Sequence, residues 1–387
     1  MTDRQSLFAV LVVVYLTECL LWVRRGGVVF RRGISGWTVR VEGELARNDR
    51  GDLHWAWPLP PFGGLAVSYG IPFSLGPKGF LNASGAAFHP SGRPLQTAAF
   101  LAWEEVRKVE TEGRTLKVNG TGFWRSDSPL ESLRLGKLIQ ELRKTDPSKR
   151  EDAIREAIRK SFDLGMIRER IQALESVLGP VRQLSMAVAA LVFVATPLAV
   201  TLSGWFPTLY IAVPLLFVMT GLLARLAGKA HRALQPEAED ERFRLLMTLF
   251  LSPAAAIRAV DPLQRTLLEE FHPAALGCVL LEGDSRRRFL SQVWRDLRFP
   301  RLPECPSELK EAVETERLHR EVTIGFLEEA VRSAGIDPGD FGRAPQSSDP
   351  SHVRYCPRCE SQFTASASVC RECGGRALID LPASAQK

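Results

Sequence analysis

The sequence of 387 residues has little of what would assign it to a simple class of protein. It contains 7 cysteines, far below the roughly 8–10% of a disulfide-stapled secreted scaffold. Its charges nearly balance, because 50 Lys and Arg residues oppose 44 Asp and Glu residues and leave a net charge of +6. So small an excess does not demand a nucleic-acid partner, although it suits the inner face of an anionic membrane.

Catalytic signatures are missing as well. The chain contains no Gly-x-Ser-x-Gly elbow, Walker loop, Gly-x-Gly-x-x-Gly, His-Glu-x-x-His or EF-hand pattern, so no such motif argues for an enzyme. A hydrophobic content of 45% and a charged content of 24% are nevertheless ordinary for a folded protein, which excludes wholesale disorder. At about 150 residues per domain, the length allows two or three domains.

Three apolar segments stand out although the mean hydropathy of the chain is only −0.04. They run from Leu7 to Val23, from Gln183 to Leu202 and from Trp205 to Ala227. Since about 20 apolar residues cross a bilayer as a helix, we expect transmembrane helices at 6–23, 183–202 and 205–227. The last two form a helical hairpin, because only Ser203 and Gly204 separate them.

The first segment has an alternative interpretation as a cleaved signal peptide. Such a peptide needs a basic start and a small-residue cleavage site, and here Arg24 and Arg25 follow the apolar run instead. An uncleaved helix is therefore the favoured interpretation. Its one charge, Glu18, is expected near the inner interface, and an intramembrane proton or partner site is the alternative role.

Basic residues beside the segments predict their orientation, because cytoplasmic flanks are enriched in Lys and Arg. Such residues flank all three segments: Arg24, Arg25, Arg31, Arg32, Arg182, Arg225, Lys229 and Arg232. The tip between the second and third segments has none. We therefore expect the N-terminus outside the inner (plasma) membrane, with residues 24–182 and 228–387 in the cytoplasm.

Residues 28–145 are expected to form a β-rich cytoplasmic domain. Trp37 to Glu42 alternates between apolar and polar residues, which is the period of a half-buried strand, and the amphipathic stretch Pro129 to Lys144 predicts a closing helix. The region resembles bacterial pleckstrin-homology-like domains. That resemblance rests on Trp103, Glu104, Val106, Val109, Leu116, Val118 and the helix. It implies lipid or protein binding.

Residues 148–182 predict an amphipathic helix that leads into the second span. Its apolar residues recur at alternating spacings of three and four: Leu164, Ile167, Ile171, Leu174 and Leu178. Such a seam packs either on the rest of the chain or on a second copy, so a dimer through 164–178 is one interpretation.

Residues 230–343 are expected to form a helical cytoplasmic domain. Two Glu-x-x-His pairs occur there, Glu269 with His272 and Glu316 with His319. On a helix this spacing places both side chains on one face, as in di-iron bundles. Such a site also needs glutamates from two further helices, so chance pairs are the simpler explanation.

The strongest motif lies near the C-terminus, where two Cys-x-x-Cys pairs follow each other closely. Its cysteines are Cys356, Cys359, Cys370 and Cys373. This spacing closely resembles the zinc-ribbon family, which implies a structural Zn²⁺ held by four thiolates in a domain of about 354–382. Disulfides are the alternative, and a reducing cytoplasm disfavours them. The polar linker 344–353 predicts that the ribbon hangs free.

These patterns predict a multidomain α+β membrane protein with three spans, a β-rich domain, a helical domain and a zinc ribbon. We expect a membrane-anchored adaptor or assembly protein that recruits a protein partner at the cytoplasmic face. One alternative is an enzyme acting on lipid or an envelope precursor, with Glu104, Glu105, His54 and His89 as acid–base candidates. The other is a membrane-tethered nucleic-acid binder, which would use Arg354, Tyr355, Arg358, Phe363, Arg371 and Arg376.

Overall fold

The structure is a computed structural model that describes most of the chain beyond residue 98. The described residues are 4–11, 13, 23–24, 27–33, 36–42, 54–55, 64–67, 73–82, 99–125, 129–236, 239–268, 270–299, 310–373 and 375–382. Residues 4–11 and 13 are helical, and most of the predicted first span lies outside the described residues. Val23, the last residue of that predicted span, is not helical, because it pairs with Trp55 in a short strand. A first span therefore stays a prediction.

The β-rich part consists of short antiparallel strands. They are β1 (Val23–Arg24), β2 (Gly27–Gly33), β3 (Gly36–Glu42), β4 (His54–Trp55), β5 (Gly64–Val67), β6 (Phe73–Leu75), β7 (Gly79–Asn82), β8 (Ala99–Ala102), β9 (Val109–Glu112), β10 (Thr115–Val118) and β11 (Thr121–Arg125). They form separate sheets with the orders β1-β4, β3-β2-β5, β6-β7-β8 and β11-β10-β9. The strand predicted at Trp37 to Glu42 is confirmed as part of β3.

Aromatic side chains hold the third and fourth of these sheets together, and the ring centroid of Phe80 in β7 lies 5.1 Å from that of Phe123 in β11. Phe73, Phe80 and Trp103 are buried, and the Phe80 ring centroid lies 5.1 Å from that of Trp103. The indole N–H of Trp103 donates to the carbonyl of Gly76 at 2.8 Å, so this polar group is satisfied inside the core. The helix α1 (Pro129–Lys144) has the predicted bounds and packs on β9, where Gln140 donates to the Val109 carbonyl.

The remaining body is helical. Its helices are α2 (Arg150–Ser161), α3 (Leu164–Ser203), α4 (Trp205–Leu234), α5 (Glu239–Leu251), α6 (Pro253–Ile257), α7 (Val260–Leu268), α8 (Pro273–Leu280), α9 (Gly283–Arg298) and α10 (Lys310–Ser333). The predicted single helix at 148–182 is wrong, because α2 ends at Ser161 and Asp163 caps the start of α3 through its carboxylate, which accepts from the N–H groups of Gly165 and Met166. The second of these continues without a break into the apolar segment.

Helices α3 and α4 form the predicted hairpin. Gly204 lies between them with φ of +79°, a conformation that glycine adopts without steric strain. A single π-helical turn at Leu191–Ala195 interrupts α3, and Pro197 follows it directly, which fits the missing N–H of proline. Both helices are long and apolar enough to cross a membrane.

The apolar seam of α3 is covered by the chain itself. Ile167, Leu174 and Leu178 are buried, and helices α4, α7 and α8 pack on α3. Leu164 and Ile171 of the same seam are half-buried, and a dimer through 164–178 stays a prediction.

One hydrophobic core runs through the β-rich and helical parts, from Phe73 to Phe341. The main-chain N–H of Leu75 in β6 even donates to His319 in α10. The boundary predicted at residue 145 is therefore not visible in the packing. The cysteine-rich C-terminus has a small core of its own.

Candidate metal centre

Two tight turns carry the four cysteines at the C-terminus. They lie among short strands, β12 (Arg354–Tyr355), β13 (Gln362–Phe363), β14 (Val369–Cys370), β15 (Arg376–Ala377) and β16 (Ile379–Asp380). Cys356 N donates to the Ser361 carbonyl at 2.9 Å, and Gly375 N donates to the Cys370 carbonyl at 3.0 Å. These bonds fold each Cys-x-x-Cys pair back on itself, so that both of its sulfurs point to one place.

The turns need left-handed backbone conformations. Gly375, after the second pair, has φ of +79°, a conformation that glycine adopts without steric strain; its neighbour Gly374 lies outside the described residues. Glu360 has φ of +57° after the first pair, a conformation that is uncommon for a residue with a side chain. The carboxylate of Glu360 is engaged elsewhere in the structure, as described below.

The four sulfurs form a compact, buried cluster. All four Sγ atoms lie within 4.8 Å of one another, and Sγ of Cys359 is 3.8 Å from Sγ of Cys370. A tetrahedral tetrathiolate site with metal–sulfur bonds of about 2.3 Å places its sulfurs about 3.8 Å apart. The cluster can therefore hold a metal ion. All four residues are free cysteines.

Electrostatics within the cluster favour a cation. Hydrogen bonds from neighbouring thiols, that of Cys356 first, lower the pKa of Cys359. Burial raises the pKa of Cys370 to about 11, and donation to the sulfur of Cys356 raises that of Cys373. Protein groups alone thus do not stabilise four thiolates side by side, whereas a divalent cation does, with release of protons on binding.

The first cysteine turn is held against helix α9. The guanidinium of Arg358, between Cys356 and Cys359, donates to Asp296 at 2.9 Å, and both side chains are nearly buried, with exposures of 11% and 13%. Arg295 forms a second ion pair with Glu360 at 2.6 Å. The prediction of a freely hanging ribbon is therefore wrong, because residues distant in sequence form partly desolvated ion pairs with it.

A third contact comes from the second half of the ribbon. The guanidinium carbon of Arg376 lies 5.6 Å from the centroid of the Phe299 ring, just after α9. Burial lowers the pKa of Arg376, and the neighbouring sulfurs of Cys356 and Cys373 oppose that shift. A divalent metal ion with four thiolates carries net negative charge, and the guanidinium of Arg376 would offset part of that charge.

The two Glu-x-x-His pairs do not build a metal site in the described residues. His272 caps α8, accepting from Ala274 N at 3.2 Å, and its ring stacks on Phe162 with centroids 4.5 Å apart. Glu316 pairs with Arg320, and Glu269 lies outside the described residues. The only group of three or more ligating side chains found in the described part of the chain is the cysteine cluster.

The structure describes the side chains of two of the four proposed acid–base residues, Glu104 and Glu105. Glu104 and Glu105 are exposed on a short turn, where Glu105 accepts from the N–H of Ala102 in its own turn. His54 lies opposite Arg24 in a two-stranded ladder, and His89 lies outside the described residues.

Most of the ribbon residues proposed for nucleic-acid binding are occupied within the protein. Arg354 pairs with Asp380 at 3.0 Å, and Arg358 and Arg376 contact α9 and Phe299 as described above. Tyr355 is buried, so its ring is not available for base stacking. Arg371 remains exposed.

Sequence reasoning missed the residues of α9 that receive the ribbon. Arg295 and Asp296 are adjacent in an amphipathic helix, and no local pattern distinguishes them from other surface charges.

Comparison with protein-family models, with curated proteins and with solved structures finds no match.

Proposed function

We propose that this chain is an integral membrane protein that recruits a protein partner to the cytoplasmic face through a zinc ribbon fixed to its helical body. The observation that carries the membrane location is the exposure of α3 and α4. Their most apolar windows have mean hydropathies of 2.1 and 2.0, yet only 17% of each window is buried. A core helix of a water-soluble protein has the opposite character, with its apolar residues inside.

The basic flanks support an orientation with both ends of the hairpin in the cytoplasm. Arg182 precedes it and Lys229 follows it, whereas its tip has aromatic residues, among them Trp205, Phe206 and Tyr210, which suit the outer interface. Phe206 and Tyr210 are exposed. This orientation places the C-terminal cysteines in a reducing compartment, together with the β-rich region, whose resemblance to lipid- and protein-binding domains fits the same role.

Zinc is the metal that this cluster would hold as a structural ion. Four thiolates complete a tetrahedral coordination sphere, which leaves no open position for a reacting water. The ribbon therefore supports a binding role better than a catalytic one.

The surface of the ribbon favours a protein as the partner. Val369 and Ile379 are exposed apolar side chains on short strands of the ribbon, whereas three of its arginines are already engaged. An apolar surface with few free cations suits a protein surface rather than a phosphate backbone.

A reporter fused after Lys387 tests the topology, and a charge substitution tests the partner. We expect the reporter to give a cytoplasmic signal. We expect the double substitution Val369→Glu and Ile379→Glu to abolish crosslinking of a partner in native membranes without loss of zinc. Ala365→Glu places the same charge on an exposed position of the ribbon and should leave the crosslink intact. An external reporter signal, or equal crosslinking in all variants, would contradict the proposal.

A further inference from the structure

Helix α5 runs back along the apolar part of α4. A Cβ atom at Gly228 would meet Cδ2 of Leu246 at 2.7 Å, so the two helices are in close contact there. One turn further along α5, the ring of Phe250 lies next to Gly221 and 5.9 Å, centroid to centroid, from the ring of Phe217. Helix α5 is therefore antiparallel to α4 and climbs toward the middle of its apolar segment.

The level of Phe217 lies well inside the span of α4. Arg225 and Lys229 mark the cytoplasmic end of that span, and Phe217 precedes Arg225 by eight residues. At a rise of 1.5 Å per residue, this is about 12 Å toward the bilayer centre. The end of α5 reaches the same level.

The outer face of α5 is apolar and uncovered in the described structure. Phe243 and Leu251 are each 65% exposed, and Met247 and Phe250 are also exposed. This face is continuous with exposed side chains of the span itself, such as Val218 and Leu222 of α4. A helix on a water-facing surface carries polar residues on its outer side, so this face is built for an apolar surrounding.

The reversal after α5 has the hydrogen bonds that hydrocarbon surroundings require. Ser252 Oγ accepts from Ala255 N at 3.2 Å, and Ser252 N donates to the Thr248 carbonyl at 3.0 Å. Pro253 has no N–H to satisfy. Backbone groups without partners are excluded from lipid, and this turn leaves none of these groups open.

Backbone carbonyls of α6, which follows the reversal, accept hydrogen bonds from a side chain of α3. The hydroxyl of Ser185 is buried and reaches the carbonyl of Ala256 at 3.1 Å as well as that of Ile257. Ser185 lies just inside Arg182, so α6 returns to the cytoplasmic boundary of the span. Thr248, whose side chain is also exposed on α5, donates to the Arg244 carbonyl at 2.8 Å and presents no open donor to lipid.

We infer that α5 and α6 form a re-entrant hairpin, residues 239–257, that enters the cytoplasmic leaflet and returns, with lipid acyl chains against Met247 and Leu251 and with Phe243 near the headgroups. Arg244 is the single charged residue from 243 to 257, and its place near the base of α5 lets it reach the headgroups. The inference rests on the proposed membrane location and removes these residues from the cytoplasmic domain predicted at 230–343.

Photo-crosslinking to lipid tests the hairpin separately from the spans. The full chain carries benzoylphenylalanine at one position, either Leu251 or Phe243 in α5, Val218 in α4 or Val313 in α10, all of them exposed apolar residues. Each variant is reconstituted in vesicles of phosphatidylethanolamine and phosphatidylglycerol and irradiated. Mass spectrometry of the intact protein then counts adducts heavier by one phospholipid.

We expect adducts at Leu251 and Val218 in comparable yield, a lower yield at Phe243 near the headgroups, and background yield at Val313. Adducts at Val218 without any in α5 would overturn the hairpin while leaving the spans in place, and a protein–protein crosslink from α5 would assign this face to a partner. No adducts at Val218 would contradict the membrane location itself. Because benzoylphenylalanine is close in shape to phenylalanine, the Phe243 variant guards against a failure of the Leu251 variant to fold.

Discussion

Each cysteine of the cluster has its sulfur buried and its turn closed by main-chain hydrogen bonds, so the metal ligands are arranged by the ribbon before any partner is considered. Their geometry follows from local spacing, because each Cys-x-x-Cys pair fits one turn. The charged side chains that hold the cluster in place do not follow from local spacing, because Asp296 and Arg295 belong to a helix that lies far away in the sequence.

Cys356→Ser should remove the metal from the protein. Losing one of four thiolates leaves an incomplete tetrahedron, and structural zinc contributes about 10–16 kcal/mol to the folding of small zinc domains. Zinc content of the purified full chain, measured by plasma mass spectrometry, should fall from about one ion per chain to near zero. Cys278→Ala is the matched control, because Cys278 is a buried free thiol outside the cluster, and unchanged zinc in Cys356→Ser would refute the assignment.

His272 and His319 should make the protein less stable in mild acid. Burial lowers the pKa of His272 to about 3 and that of His319 to about 4, against about 6.5 in the unfolded chain. The unfolded state therefore binds more protons below pH 6.5, and stability falls as the pH drops from there toward these values. By pH 5 each histidine should lower the free energy of unfolding by about 2 kcal/mol.

His272→Asn is the variant that checks this. Asparagine also caps a helix but does not titrate, so its thermal midpoint in detergent should change less between pH 7 and pH 5 than that of the wild type. Identical pH dependence of the two proteins would show that His272 does not carry the effect.

At the scale of elements, the periodicity of the sequence predicts which helices and strands form better than it predicts where they begin and end. Helix α1, strand β3 and the α3–α4 hairpin follow from apolar spacing and turn residues. The break at Asp163 was missed, because apolar residues recur at helical spacing on both sides of it, at Ile154 and Ile158 before and from Leu164 onward, while the cap depends on one carboxylate. Ser252 followed by Pro253 is a local signal for a helix start, but the place of this reversal beside α4 depends on contacts that no local pattern encodes.

Gly228→Val should separate α5 from α4. The added side chain would overlap Leu246, and overpacking typically costs about 1–3 kcal/mol. We expect a lower thermal midpoint in detergent than for Gly325→Val. Gly325 lies in α10, where a Cβ atom meets nothing within 4 Å, and equal midpoints for the two variants would argue against the close contact.

At the scale of the whole molecule, the ribbon and the helical body behave as one unit. Arg358→Ala leaves Asp296 nearly buried without this partner, and breaking a buried pair in this way typically costs about 3–5 kcal/mol. We expect the linker 344–353 to be cut by protease at least about tenfold faster, since cleavage follows the open population. Arg371→Ala removes an exposed arginine of the same ribbon, and its linker should be cut at the wild-type rate. Equal cleavage rates for both variants would mean that the Arg358–Asp296 ion pair does not hold the ribbon.

The ion pairs between α9 and the first cysteine turn also have a thermodynamic consequence for metal exchange. Coupling between two binding events is reciprocal. If metal binding makes docking of the ribbon on α9 more favourable, docking makes metal binding more favourable by the same free energy. A ribbon cut out of this chain should lose zinc to a chelator more readily than the intact protein does. The lifetime of the bound metal ion would then report how firmly the helical body is folded.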